Sequence, residues 1–311
     1  MKPLHIETPL LVSRPLTVDS DRTVWLKLEA MQPTGSFKIR GIGLACQEYA
    51  KQGATRFLSS SGGNAGIAVA YAGRCLSIPV LVVVPETTTD RAIARIEQEG
   101  ADVLIHGASW QEANALALSM REPTDAFLHP FDDPLLWRGH ASMIDEVARA
   151  RVKPDAVVLC VGGGGLLCGV MEGLQRNGWE DIPVIAVETE GADSLAQSIH
   201  AGHHVELPAI TSIATSLGAR RVCEKSLSLA EARDVRSVVV SDRAAVSACQ
   251  RFLDDHRLLV EPACGASLAV AYNYSLELEG LSSVLIIVCG GATITADQLR
   301  TWANHLGNPA E

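Results

Sequence analysis

The stretch Val157-Val158-Leu159-Cys160-Val161-Gly162-Gly163-Gly164-Gly165-Leu166-Leu167 decides the fold. An unbroken apolar segment runs through four consecutive glycines into a helical pattern that continues to Arg176. A strand apolar on both faces is what a parallel sheet covered by helices requires. Four glycines cost chain entropy, so the run points to a close approach of backbone to something else. At the carboxyl end of a strand and the start of a helix, the natural occupant is a phosphate on the helix N-terminus. A dinucleotide is the competing reading, because Glu188 closes the next strand as a ribose-binding acid would. However, the spacing G-x-G-x-x-G fails: the sixth position from Gly162 is Leu167. A monophosphate fits the turn better than a pyrophosphate.

The same alternation extends in both directions. Short β-branched runs at Val24–Leu28, Arg56–Ser59, Val80–Val84, Val103–His106, Val184–Glu188, Ser237–Val240 and Val284–Cys289 predict further strands. Helices are predicted over Phe37–Ala50, Ala65–Leu76, Asp90–Glu99, Leu135–Ala150, Leu166–Arg176, Asp242–Asp254, Ala266–Leu278 and Thr295–His305. Strands alternating with helices specify an α/β class with right-handed crossovers. The Pro/Gly/Asp-bearing loops around Gln32–Gly35 and His129–Pro134 are the plausible crossings between lobes. Residues 33–135 would then form a small lobe inserted in a large one made of 1–32 and 136–311.

Composition narrows the function. The chain has 311 residues, 47% hydrophobic and 20% charged, with net charge −10. That acidity argues against nucleic acid and anionic membrane as partners and leaves small molecules open. No apolar run nears the about 20 residues that span a bilayer, and the N-terminus has no signal-type apolar core. A cytoplasmic location is expected. The eight cysteines include no C-x-x-C pair and sit mostly in apolar stretches, as buried free thiols do.

Three further segments carry polar chemistry. In Gln32-Pro33-Thr34-Gly35-Ser36-Phe37-Lys38-Ile39-Arg40-Gly41, Lys38 falls in the first turn of a helix. The positive potential there lowers an amine's pKa, as a Schiff-base nucleophile needs. A lone lysine in such a place is ordinarily just solvated. The loop Ser59-Ser60-Ser61-Gly62-Gly63-Asn64-Ala65-Gly66 follows a strand and precedes a helix. It reads equally as a carboxylate cradle and as a tight turn that needs small residues. Cys289-Gly290-Gly291 ends the last strand at the same sheet edge. His203-His204 reads as a solvated loop, and no metal-type or triad-type constellation is present.

Together with Pro130-Phe131-Asp132-Asp133-Pro134, Gly139-His140-Ala141-Ser142 and Val260-Glu261-Pro262-Ala263-Cys264-Gly265-Ala266, these segments resemble the serine/threonine dehydratase family of fold-type II pyridoxal-phosphate (PLP) enzymes. Within it the likeness is greatest to the liver-type L-serine dehydratases, and it runs over nearly the whole chain. The resemblance implies two open parallel-type sheets covered by helices, tryptophan synthase β-like, and conversion of L-serine to pyruvate and ammonia. L-Threonine would give 2-oxobutanoate. It implies that Lys38 carries the Schiff base, that Phe37 and Ser216 pack on the cofactor ring, and that Asn64 meets its 3′-oxygen. Gly162, Gly163, Gly164, Gly165 and Leu166 would hold the phosphate, and Cys289 would face the pyridine nitrogen. Ser61, Gly62 and Ala65 would grip the substrate carboxylate. A monovalent cation, usually K+, is implied on the Glu188 side chain and carbonyls near Gly162, Ala192, Leu217 and Ala219. A homodimer is expected from the family alone.

Departures qualify the likeness. Gly62 replaces the Ala common in the liver enzymes, and Ser216 an Ala common at that place. After Asn64 the chain reads Ala65-Gly66, where threonine dehydratases and serine racemases tend to read His-Ala. Those two activities remain the alternatives on the same fold; a nicotinamide-dependent oxidoreductase is the alternative from another class.

Overall fold

The computed structural model describes residues 1–18, 22–273 and 276–307. The first elements are β1 (Leu10–Val12), α1 (Arg14–Val18), β2 (Thr23–Lys27) and α2 (Lys38–Lys51). There follow β3 (Arg56–Ser59), α3 (Asn64–Leu76), β4 (Val80–Val84), α4 (Asp90–Gln98), β5 (Asp102–Ile105), α5 (Trp110–Ser119) and β6 (Asp125–Phe127). Next come α6 (Pro134–Arg149), β7 (Ala156–Cys160), α7 (Gly165–Arg176), β8 (Val184–Thr189), α8 (Ser194–Ala201) and α9 (Glu224–Ala232). The path closes with β9 (Val235–Val240), α10 (Asp242–His256), α11 (Pro262–Tyr272), β10 (Ser283–Ile287) and α12 (Ala296–Gly307).

Two sheets result. One has the order β1-β2-β10-β7-β8-β9 and the other β5-β4-β3-β6. All pairings are parallel except that of β1 with β2. Strand β10 lies between β2 and β7, with Leu285 opposite both Trp25 and Val157, so the two ends of the chain share one sheet. Every residue of β7 and β8 is buried, the reason their sequences are continuously apolar.

The eight strands and eight helices expected from sequence are present, within a few residues of their predicted ends. The exception is the predicted helix Ala266–Leu278: the helix starts earlier, at Pro262 behind the Glu261 N-cap, and ends at Tyr272. Residues 274 and 275 of that prediction lie outside the described residues. Strands β1 and β6, of three residues each, and helices α1, α5, α8 and α9 carry patterns too short or too weakly periodic to predict.

Helix α2 is tied to both flanking elements by buried charge. Arg40, fully buried, donates to Glu29 Oε2 at 2.6 Å and, from Nη1, to Glu146 Oε1 on α6, also at 2.6 Å. Lys27 at the end of β2 also donates to Glu146. Such a network satisfies each charge only in one geometry, so it fixes where α2 starts. Asp133 caps α6 by accepting from Leu135 N at 2.7 Å. All eight cysteines are free thiols, seven of them buried and Cys75 exposed.

Candidate active site

Residues 35–37 are stitched to the segment that leaves β10. Gly291 N donates to Gly35 O at 3.0 Å, Phe37 N donates to Cys289 O at 2.9 Å, and Ser36 bridges Gly290. Gly35 sits at φ 74°, which admits glycine readily. This clamp brings the first residue of α2, Lys38, over the carboxyl edge of the larger sheet.

One cavity then collects side chains from elements far apart in sequence. Phe37 and Lys38 come from the start of α2, Asn64 from α3, Gly162 to Leu166 from the turn into α7, Ser216 and Leu217 from a single 3-10 turn (Thr215–Leu217), and Cys289 from beyond β10. Phe131, Cys160, Glu261 and Ala263 line it too. Of these, Phe131, Glu261 and Ala263 stood in segments that carried the family resemblance, yet nothing in sequence assigned them a contact. Cys160 gave no signal at all beyond ending an apolar strand.

The glycine turn is closely packed on its outer side. A Cβ on Gly163 would lie 2.2 Å from Phe131 Cγ, and one on Gly164 would lie 2.3 Å from Ser226 Oγ. Gly164 also has φ 91° and caps α7. The turn is thereby pressed into a concave backbone surface ending at a helix N-terminus, the geometry that holds a phosphate group.

Lys38 Nζ donates to the carbonyl of Pro130 at 2.6 Å. Burial lowers its pKa to about 8, with Cys160, Cys289 and Glu261 acting weakly in the opposite sense. The sequence reading credited the helix N-terminus with this shift; loss of hydration at the amine is the larger cause. We expect the apo protein's Lys38 to be acylated by an amine-directed reagent with a midpoint near pH 8, not in the 10.5 range of a free lysine. Peptide mapping across pH checks this, and a midpoint above pH 10 would contradict it.

Phe37 is held edge-on by His140, with ring centroids 4.8 Å apart at 62°. Cys160 donates its thiol proton to Cys289 Sγ at 3.4 Å. Hydrogen bonds with the Cys160 and Cys264 thiols, then burial, raise the Cys289 pKa far above the normal thiol range, so it stays protonated. Asn64 Nδ2 donates to Glu261 Oε1 at 2.8 Å, whereas Asn64 Oδ1 is buried without a hydrogen-bond partner.

Ser61, Gly62 and Ala65 flank this cavity without lining it. Ser61 Oγ accepts from Gly63 N at 3.4 Å, Gly62 packs against Thr88, and Ala65 is buried on α3. Ser60, in the loop read equally as a carboxylate cradle and as a tight turn, donates its hydroxyl to Asn114 Oδ1 at 2.7 Å. Glu188, in β8, is fully buried and accepts from Leu195 N at 2.9 Å and Ala196 N at 2.7 Å in α8. Burial pushes its pKa up to about 8 despite these donors. Of the other carbonyl-bearing residues, Leu217 packs on Gly162, Ala192 is buried beside Thr189, and Ala219 N donates to Leu217 O at 2.7 Å. His204, expected to be solvated, is half-buried with Nε2 2.7 Å from Val222 O.

The lining suits PLP on three counts. The glycine turn offers a phosphate cradle, Lys38 an amine of lowered pKa, and Asn64 a buried polar atom without a partner on a residue of the lining. Comparisons with known proteins agree. The chain is 48% identical to the human L-serine dehydratase/L-threonine deaminase, covering 98% of this chain and 97% of that protein. It is 49% identical to the human serine dehydratase-like protein, over 98% and 96%. The crystal structure of a fungal L-serine ammonia-lyase from Rhizomucor miehei superposes with TM-score 0.92 at 36% identity, covering 97% of this chain and 99% of that one. The family model for pyridoxal-phosphate dependent enzymes matches residues 1–290, and the chain belongs to that family.

Proposed function

We propose that the protein is an L-serine ammonia-lyase that releases pyruvate and ammonia from L-serine and acts on L-threonine as well. The observation that carries this reading is the buried Lys38 amine sharing one cavity with the glycine turn and Asn64. When bound, PLP supplies an aldehyde that captures the substrate amine and a conjugated ring that draws electron density from Cα. The chain's own residues do the rest. Backbone N–H groups of Gly162 to Leu166 hold the phosphate, and Phe37 and Ser216 confine the ring. Lys38 would hold the cofactor and would take the Cα proton of the substrate. Held beside that carbon, its amine acts at a high effective concentration. Cys289, a protonated thiol in the lining, would offer the ring nitrogen only a weak donor, with which the ring would be a modest electron sink. The β-hydroxyl would then leave as water, with the proton Lys38 took from Cα closing the balance, and the dehydrated amino acid released would add water and lose ammonia to give pyruvate. Ser61, Gly62 and Ala65, beside the cavity mouth, hold the substrate carboxylate through the loop backbone.

Glu188 is the anchor of a K+ site in this reading. A buried carboxylate with no cationic side chain paired to it among the described residues, its pKa pushed up to about 8 by burial, gains most from a hard cation beside it. Residues 33–135 form the smaller lobe and 1–32 with 136–311 the larger, cofactor-holding one. A homodimer in the cytoplasm suits the buried free thiols. No helix among the described residues is long and apolar enough to cross a membrane.

The test supplies L-serine, L-threonine and D-serine in turn, in potassium and then in tetramethylammonium. We expect pyruvate from L-serine, slower 2-oxobutanoate from L-threonine, and a several-fold fall without potassium. Net racemisation faster than pyruvate release would assign the chain to the racemase alternative instead.

A further inference from the structure

Two buried thiols outside the cavity lining meet behind the glycine turn, and the proposed reaction uses neither. Cys168 Sγ, on α7, lies 3.7 Å from Sγ of Cys223, the N-cap residue of α9. The two residues are 2% and 3% exposed. Both are tied to the turn through their backbone: Cys168 N donates to Gly164 O at 2.9 Å and Cys223 N donates to Gly163 O at 3.0 Å. Cys223 Sγ also stands 3.2 Å from where a Cβ on Gly164 would lie.

The two sulfurs are not equivalent. A hydrogen bond from Cys168, working against burial, lowers the Cys223 pKa to about 7, while the same bond and burial raise that of Cys168. Cys223 therefore keeps a thiolate fraction, the form that attacks oxidants. The thiols of Cys160 and Cys289 are as close, at 3.4 Å, but Cys289 stays protonated.

We propose that Cys168 and Cys223 are an oxidation site that closes to a disulfide under a peroxide and so loosens the grip of the glycine turn on the cofactor phosphate. This rests on the reading that the turn holds that phosphate, and adds a control to it. The Cys223 thiolate attacks one peroxide oxygen and breaks the O–O bond, giving a sulfenic acid and a hydroxide that takes up a proton. The Cys168 sulfur then displaces the hydroxyl from Cys223, which leaves with the Cys168 proton as a second water. Two thiols lose two electrons and two protons, and the peroxide becomes two waters. To bond, the sulfurs must close from 3.7 Å to about 2.05 Å. Cys168 is held within α7, so the segment ahead of α9 has to give, and Cys223 N pulls on Gly163 O as it does.

The test titrates wild-type apoprotein with pyridoxine 5′-phosphate, which has the phosphate but no aldehyde to react with thiols. After hydrogen peroxide, non-reducing peptide mapping should join the Cys168 peptide to the Cys223 peptide. The oxidised protein should bind the probe at least about tenfold more weakly, and dithiothreitol should restore it. Cys223→Ser and Cys168→Ala should bind like the reduced wild type and lose no affinity under peroxide. Coupling between sites is reciprocal, so saturating probe should make this disulfide about tenfold harder to form at equilibrium in dithiothreitol buffers. Absence of the cross-linked peptide would refute the proposal, as would a cross-link with unchanged affinity. An equal fall in Cys223→Ser would refute it too, by placing the effect at another thiol. Gly164→Ala keeps the two failures apart. If it weakens the probe while oxidation does not, only the proposal falls; if neither does, the reading of the turn falls with it.

Discussion

Lys38→Ala is expected to abolish pyruvate release from L-serine, by at least about 10⁴-fold, because one side chain supplies both the covalent anchor and the proton acceptor. The variant should keep its fold. Lys38 makes one side-chain hydrogen bond, to Pro130 O, and its amine is poorly hydrated where it lies, so its removal relieves a desolvation cost. Thermal unfolding at or above the wild-type midpoint, together with lost activity, separates a chemical defect from a structural one. Borohydride reduction followed by peptide mapping adds a direct readout. The wild type should carry reduced cofactor on the peptide containing Lys38, and the variant on none. Activity retained within tenfold would remove Lys38 from the chemistry.

Gly164→Ala is expected to cost both cofactor and stability. The position has φ 91°, and a methyl there meets Ser226 Oγ at 2.3 Å and Ser226 Cβ at 2.6 Å, with Cys223 Sγ at 3.2 Å behind. Left-handed backbone on a non-glycine residue costs about 1–2 kcal/mol, and crowding a packed site adds roughly 1–3 kcal/mol. Ser226 cannot simply swing aside, since its hydroxyl donates to Cys223 O at 2.8 Å and Cys223 N holds Gly163 O at 3.0 Å. The turn itself must shift, and with it the N–H groups at the start of α7. We expect a loss of about 2–5 kcal/mol in unfolding free energy and at least a tenfold weaker hold on PLP, measured by fluorescence titration of the apoprotein. Unchanged affinity would show that the phosphate is held elsewhere. Gly178→Ala is the matched control: φ is 68° but nothing lies near its Cβ, so it should lose stability without losing cofactor.

Much of this was legible before any coordinates. Continuous apolar runs at β7 and β8 announce strands buried on both faces, and four glycines in a row announce a backbone approached closely from outside. Lys38, Asn64 and the glycine turn gained meaning from co-occurring in order with several other segments, since each alone has an ordinary explanation. The short edge strands β1 and β6 were invisible because three residues carry no usable periodicity.

Other features depend on which segments meet. That Ser60 serves Asn114 and not a ligand, and that Phe131 backs the glycine turn, are contacts between residues 54 and 32 or more positions apart. The lowered pKa of Lys38 belongs here too: its position on a helix is local, but the burial that causes the shift exists only because distant segments close over the amine. Local pattern in the chain specifies strands, helices and tight turns because backbone sterics and hydrophobic spacing act over a few residues. Hydration of an amine, the direction of an amide and the space beside a glycine are properties of an enclosure, and they exist only once distant segments have closed it.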